Sequence, residues 1–130
     1  MTAFYVHLLA HVIEDLRKYI ADQIARKDEF LDSSYGELSG DEYLHFLDLK
    51  KSIAEDLERL TFFGDFQESL IRGEVTPDEL KAQPARLRDL FDFAREDDWT
   101  DSVEADIVRQ HDGDLLSAGL ADLGRLISEI

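Results

Sequence analysis

Three side chains that can bind zinc recur at helical spacing near the start of the chain. His7, His11 and Glu14 stand at positions i, i+4 and i+7, which places them on one face of a helix. That face lies opposite the apolar residues of the same segment, and Lys18 follows in its middle, where its charge repels a cation. Because no fourth ligand is evident, these residues are weak metal candidates, and the sequence predicts no bound metal or other cofactor.

Further carboxylates have spacings that suit metal-dependent chemistry. Glu42 and His45 have the Glu-x-x-His spacing of di-iron helical bundles, but those sites need a second such pair and two more Glu residues. Two acidic pairs three residues apart resemble magnesium-binding pairs, although the same spacing is common on acidic helix surfaces. These pairs are Glu55 with Glu58 and Asp89 with Asp92. A carboxylate metal-dependent hydrolase is therefore the least favoured alternative.

The motifs of other enzyme classes are missing from the sequence. It contains no glycine-rich phosphate loop, no nucleophile elbow and no His-Glu-x-x-His motif. The chain has no Cys, which excludes disulfides, thiolate metal sites and cysteine nucleophiles. His111, near Val103 and Ile107, is interpreted as a partly buried structural residue, since no nucleophile accompanies it. The sequence predicts that the protein is not an enzyme.

The stretch GELSGDEY at residues 36–43 returns in altered form as GEVTPDEL at residues 73–80. An EF-hand alignment of either copy places Leu, Tyr or Arg at ligand positions, and these side chains cannot bind calcium. Both copies fit a capping box, Ser39-x-x-Glu42 and Thr76-x-x-Glu79. In this motif the hydroxyl accepts a hydrogen bond from the backbone N–H of the Glu, and the Glu carboxylate accepts one from the backbone N–H of the Ser or Thr. The echo therefore predicts two helix starts, with a degenerate EF-hand pair or an internal duplication as alternatives.

Apolar residues recur every three or four positions along most of the chain, which predicts an all-α fold. We expect a compact bundle of about four to six helices in one domain, 1–130, with a long N-terminal helix reaching about Lys27. A second helix is expected from about Asp41 to Phe63, stopped by Gly64. Shorter helices are expected after Thr76, from Pro84 to about Asp98, over 101–111 and after Gly113. The apolar arcs of the first two helices include the following residues: Tyr5, Leu8, Leu9, Val12, Ile13, Leu16, Tyr19, Ile20 and Ile24; Tyr43, Phe46, Leu47, Leu49, Ile53, Ala54, Leu57 and Leu60.

The composition is strongly acidic, with 30 Asp and Glu against 14 Lys and Arg and a formal net charge of −16. This balance argues against binding to nucleic acids or anionic membranes, which need clustered basic residues. It favours a basic protein partner, solubility or a salt-rich cell interior. No apolar segment approaches the roughly 18 residues of a membrane span, and a cytoplasmic location is expected.

The strongest candidate for a functional site is the segment RDLFDFAREDDWTDSVEAD at residues 88–106. From Asp89 to Asp106 it contains eight acidic residues and one basic residue, Arg95, and it carries the only Trp of the chain, Trp99. An aromatic anchor surrounded by carboxylates suits an interface, since the ring fills a pocket and the charges steer a basic partner. The candidate partner-binding residues are Phe93, Asp97, Asp98, Trp99, Asp101 and Glu104. The competing interpretation is a solvated helix end with Trp99 in the core.

Two functions from different classes fit these observations. The first is a small acidic module that inhibits or regulates a basic partner, including a nucleic-acid-processing one, as bacterial immunity proteins and phage anti-defence proteins do. That comparison rests on size and charge, not on a shared motif. The alternative is an accessory or scaffolding subunit, with a homodimer formed through the wide apolar arc of the first helix and a charge that serves solubility or salt adaptation.

Overall fold

The computed structural model describes residues 2–33, 39–95 and 114–130. These residues form five helices and contain no strand. The helices are α1 (Thr2–Ser33), α2 (Gly40–Ile71), a 3₁₀ helix (Pro77–Ala82), α3 (Pro84–Ala94) and α4 (Asp114–Ser128). The predicted all-α fold with a long first helix is confirmed. The helix expected over 101–111 lies outside the described residues. No helix in the described ranges is long and apolar enough to cross a membrane.

The chain divides into two compact units. The single domain expected over 1–130 stays a prediction. Unit 1 comprises residues 1–13 and 63–130, and unit 2 comprises residues 14–62. Each of the two long helices therefore contributes one part to each unit. The units are described separately below.

Unit 1 is a helical bundle with an apolar core. In it, α3 packs against α4, and the 3₁₀ helix contacts both. The core residues at most 7% exposed are Phe4, Tyr5, Leu8, Leu9, Val12, Ile13, Phe63, Leu70, Leu80, Leu87, Leu90, Leu123 and Leu126. Because the first part of α1 supplies six of these, the apolar arc predicted for residues 5–13 is confirmed.

Phe4 is fully buried although the predicted arc of α1 begins only at Tyr5. Its ring lies against the backbone of Gly119 in α4, where a β-carbon would overlap the Phe4 ring. The ring also meets Tyr5 edge-to-face, with 5.2 Å between ring centroids. Because Gly119 has no side chain, α4 leaves the space that the Phe4 ring occupies.

Unit 2 pairs the second part of α1 with the first part of α2. Phe30 contacts His45, and Gln23 bonds Ser52 and Asp56, so the two segments run antiparallel. Ile20 and Ile53 are the buried apolar residues of this pair, at 6% and 8% exposure.

Several residues of the predicted apolar arcs are exposed in unit 2, which corrects the prediction. They are Tyr19, Ile24, Tyr43, Leu47 and Leu57, with exposures between 39% and 53%. The helical period assigns residues to a common face, but it does not require that a second element covers all of that face. Of the α1 arc expected to form a dimer surface, Tyr5, Leu8, Leu9, Val12 and Ile13 are buried within unit 1, whereas Tyr19 and Ile24 are exposed.

The capping-box prediction is confirmed at both helix starts. Ser39 directly precedes α2. Its hydroxyl accepts a hydrogen bond of 3.3 Å from the Glu42 N–H, as expected for a capping box. At the 3₁₀ helix, the Glu79 carboxylate accepts a hydrogen bond of 3.2 Å from the Thr76 N–H. The box at Thr76 has both reciprocal contacts, whereas the bond from Glu42 N–H is the half described at Ser39.

The predicted end of α2 at Gly64 is wrong. The helix continues through Gly64 for two further turns and ends at Ile71. The chain leaves the helix at Gly73, whose φ of 71° lies in the left-handed region that glycine adopts without strain. The restart at Pro84 is confirmed, since α3 begins there.

Candidate protein-binding surface

α3 carries the first part of the acidic candidate segment. Pro84 occupies the first helical position, where its fixed φ suits a helix start and its missing N–H costs nothing. Leu87 and Leu90 are fully buried in the core of unit 1, which fixes the rotation of the helix. Phe91 and Phe93 are half-buried, and Asp92 is exposed.

Two basic side chains at α3 contact different kinds of group. Asp89 pairs with Arg86 one turn earlier, with 3.4 Å between the carboxylate and the guanidinium. Arg95, the one basic residue of the segment 89–106, lies over the ring of Phe91, with 5.5 Å from its guanidinium carbon to the ring centroid. The side chains of Arg86 and Arg95 therefore both contact residues of α3.

The C-terminal end of α3 is an unfavourable place for acidic residues. The helix ends at Ala94, and the Arg95 N–H donates to the Phe91 and Asp92 carbonyls, both at 3.2 Å. The partial negative charge of a helix C-terminus favours cations and disfavours carboxylates. The sequence nevertheless has Asp92 in the last turn, no basic residue there, and three acidic residues at 96–98.

Among the predicted partner-binding residues, the structure describes Phe93 alone. It is half-buried on α3, off the face formed by Leu87 and Leu90. The other candidates, Asp97, Asp98, Trp99, Asp101 and Glu104, lie outside the described residues, as does His111.

The weak metal candidates are not assembled into a site. Glu14 forms an ion pair of 3.1 Å with Lys18, one turn further along α1. His7 and His11 are half-buried. Across residues 2–33, 39–95 and 114–130, no group of three or more His, Asp or Glu side chains is arranged to hold a metal ion.

The Glu42 and His45 pair lies on an exposed part of α2. The His45 imidazole meets the ring of Phe30 at 5.4 Å and 61°. A shallow cleft of about 430 Å³ lies beside this contact within unit 2. The cleft is lined by Arg26, Glu29, Phe30, His45 and Leu49.

The sequence analysis missed a polar cluster in unit 1, centred on Arg125. The Arg125 guanidinium donates to Asp122 at 2.9 Å, to Asp78 at 2.9 Å and to Glu129 at 3.2 Å. Glu129 also pairs with Lys81 of the 3₁₀ helix. The i, i+3 and i, i+4 spacings within α4 are visible in the sequence, whereas the contact with Asp78 spans 47 positions.

Tyr5 joins this cluster from the core. Its side chain is fully buried, and its hydroxyl donates to Asp122 Oδ2 at 2.7 Å. Burial, and then the hydrogen bond to Asp122, raises the pKa of the Tyr5 hydroxyl well above its usual value. Burial raises the pKa of Asp122, but hydrogen bonds from Tyr5 and Arg125 outweigh it and hold that pKa below its usual range. The cluster thus holds carboxylates ionised and links three helices.

A second missed cluster is a buried polar layer in unit 2. Gln23 and Asp56 are only 3% and 6% exposed, and the Gln23 amide nitrogen donates to Asp56 Oδ2 at 3.3 Å. Arg59 donates to the other oxygen of Asp56 at 2.7 Å. The Gln23 side-chain oxygen is buried and accepts no hydrogen bond. Polar contacts of this kind align two helices in one register.

The chain matches no protein-family model, no curated protein and no solved structure.

Proposed function

We propose that the protein is a small acidic protein-binding module that inhibits or regulates a basic partner, with the segment 89–106 as its contact surface. The partner class includes proteins that process nucleic acids, whose cationic clefts accept carboxylates in place of phosphates. The proposal includes a cytoplasmic location and no direct contact with nucleic acid or membrane. It takes Phe93, Asp97, Asp98, Trp99, Asp101 and Glu104 as the binding residues.

The observation that carries the proposal is the placement of acidic residues at and beyond the C-terminus of α3. The helix dipole disfavours them there. The nearby guanidinium of Arg95 lies over Phe91, and Arg86 pairs with Asp89. Sequences that violate a local rule without local compensation do so most often at functional sites. A cationic partner adds positive charge at this end of α3, where Arg95 is the one basic residue of the segment 89–106.

A pull-down with the purified chain as bait tests the proposal. Lysate is washed at about 0.1 M and about 1 M salt, since the Debye length falls from roughly 10 Å to 3 Å between them. We expect a basic protein that is retained at low salt, released at high salt and then identified by mass spectrometry. Its affinity for the purified bait is measured by calorimetry.

Three substitutions separate a specific surface from general acidity. Trp99→Ala and Asp97→Lys are expected to weaken binding at least roughly tenfold, as loss of a central anchor does. Asp65→Lys makes the same charge change at an exposed position of α2 outside the segment, and is expected to have little effect. Equal losses with Asp97→Lys and Asp65→Lys, or retention of no basic protein, would contradict the proposal.

One observation favours the alternative of an accessory or scaffolding subunit. Seven large apolar side chains between residues 19 and 57 of unit 2 are at least 36% exposed. Contiguous exposed apolar surface is typical of a protein–protein contact. A salt-insensitive self-association, with no basic protein retained, would support this alternative.

A further inference from the structure

The first part of α2 has an exposed side on which residues recur at alternating steps of four and three. We call this side the outer face of α2. Its members are Tyr43, Leu47, Lys50, Ala54, Leu57 and Thr61. Tyr43, Leu47 and Leu57 are 52%, 40% and 45% exposed, and the neighbouring Leu44 is 61% exposed. The residues of α2 that are covered within unit 2, such as Ile53 and Asp56, lie on a different side.

Alternation of four and three residues is the spacing of a coiled-coil seam. A period of 3.5 residues keeps one stripe of a helix facing a partner helix along its length. Three large apolar side chains of this face, Tyr43, Leu47 and Leu57, remain exposed, whereas a surface helix of a monomer turns such residues inward. The outer face of α2 therefore has the pattern of a helix that packs against another helix.

The charges beside the outer face are complementary to those of a second copy. Lys51 and Glu58 are seven residues apart and therefore lie on the same flank of the helix. A two-fold axis places identical surfaces against each other. If the axis crosses α2 midway between these residues, Lys51 of each copy meets Glu58 of the other.

The same charges distinguish an antiparallel from a parallel arrangement. A parallel pair in register sets Lys50 directly against Lys50 of the second copy, which is unfavourable in an apolar contact. In the antiparallel pair the two Lys50 residues are nine residues apart along the axis, about 13 Å at 1.5 Å per residue. Ala54 then lies next to the axis, and its small side chain allows the two helices to approach closely.

We propose that the outer face of α2 is a homodimer interface, in which two copies pack antiparallel about a two-fold axis near Ala54 and Glu55. The proposal is independent of the function assigned to the segment 89–106. The dimer covers Tyr43, Leu47 and Leu57 and adds two Lys51–Glu58 ion pairs at its edge.

Sedimentation equilibrium of the chain, residues 1–130, over a wide concentration range tests the interface. We expect a dimer, and we expect Leu57→Asp to weaken it roughly tenfold or more, because the substitution puts a charge in the seam. Ile71→Asp makes the same change at a residue that is 64% exposed near the end of α2, and is expected to leave the dimer intact. Circular dichroism establishes that each variant remains helical.

Charge reversal tests the antiparallel pairing specifically. Lys51→Glu and Glu58→Lys are each expected to weaken the homodimer severalfold, because each places like charges together. An equimolar mixture of the two variants is expected to form a heterodimer as stable as the native dimer, since every Glu then meets a Lys. A monomeric native chain at the highest concentration would overturn the proposal, as would a dimer that is insensitive to Leu57→Asp. Absence of the heterodimer would overturn the antiparallel arrangement.

Discussion

The hydroxyl of Tyr5 donates a hydrogen bond of 2.7 Å to Asp122 Oδ2, although 117 positions separate the two residues in the chain. The bond joins the first turns of α1 to α4 within unit 1. Arg125 holds the other oxygen of the same carboxylate from the side of α4. Asp122 is thus fixed between a buried hydroxyl and a guanidinium.

Tyr5→Phe should reduce stability through this bond. The substitution keeps the ring in the core but leaves Asp122, at 16% side-chain exposure, without one of its donors. Loss of a partly buried hydrogen bond to a charged group corresponds to about 1.5–3 kcal/mol in the free energy of unfolding. Urea denaturation measures the change. Tyr19→Phe removes the same atom from a ring that is 53% exposed and should be close to neutral; equal effects would contradict the prediction.

The Arg125 cluster should make unit 1 sensitive to acid. Hydrogen bonds from Lys81 and Arg125 lower the pKa of Glu129, and the pKa of Asp122 is also held low. A carboxylate with a lowered folded-state pKa contributes stability above its unfolded pKa, about 3.9 for Asp and 4.3 for Glu. That contribution is lost as the pH falls through the folded pKa. The free energy of unfolding should therefore decrease as the pH is lowered from about 5 to about 2.

Arg125→Met tests the origin of this acid sensitivity. Without the guanidinium, the pKa values of Asp122 and Glu129 move toward their usual range, so stability should depend less steeply on pH below about 4. Arg88→Met removes the same charge from an exposed position of α3 and serves as the control. A pH dependence that is identical in both variants and the native chain would assign the effect to other carboxylates.

Gly119→Ala should destabilise unit 1, because the added β-carbon overlaps the buried Phe4 ring. Overpacking of a core commonly costs about 1–3 kcal/mol. Gly124, five residues later in α4, has open space around the position of a β-carbon. Gly124→Ala should therefore stabilise the helix by roughly 0.5–1 kcal/mol. Thermal unfolding of the two variants should shift in opposite directions, and a shift in the same direction would be inconsistent with the packing described for Phe4.

Arg59→Met should destabilise unit 2 more than Arg72→Met destabilises unit 1. Both arginines lie 2.7 Å from a carboxylate oxygen, so the two ion pairs have equal lengths. The carboxylate of Asp56 is 9% exposed, whereas that of Glu68 is 60% exposed. A buried charge left with one donor fewer costs about 1–3 kcal/mol, and an exposed pair contributes about 0–1 kcal/mol. Guanidinium denaturation of both variants measures the difference, and equal losses would show that burial is irrelevant here.

Sequence periodicity predicted the helices well because each amphipathic face depends on local spacing. It placed Leu8, Leu9 and Val12 in the core correctly, and it predicted the restart at Pro84 from the fixed φ of proline. It misplaced the end of α2, because a glycine can lie within a helix or follow its end. Gly64 lies inside α2, whereas Gly73, with its positive φ, follows the end of the helix.

The tertiary contacts were beyond the reach of the sequence. The bonds from Tyr5 to Asp122 and from Arg125 to Asp78 join residues that no local pattern connects. Periodicity also grouped Tyr43, Leu47 and Leu57 with Ile53 in one arc, although Ile53 alone among them is buried. For the candidate site, composition identified the acidic segment, and the structure adds the geometry of α3 and Phe93.

The division of the chain into a continuous unit 2 and a discontinuous unit 1 has a consequence for synthesis. Residues 14–62 are translated before α3 and α4, so the antiparallel pair of unit 2 needs neither helix and can form from contacts close in sequence. The surroundings of Phe4 and Tyr5 form later, because Phe4 packs against Gly119 and Tyr5 bonds Asp122, both of which lie in α4. The apolar surface of Phe4 and Tyr5 is thus available to chaperones until α4 has been translated.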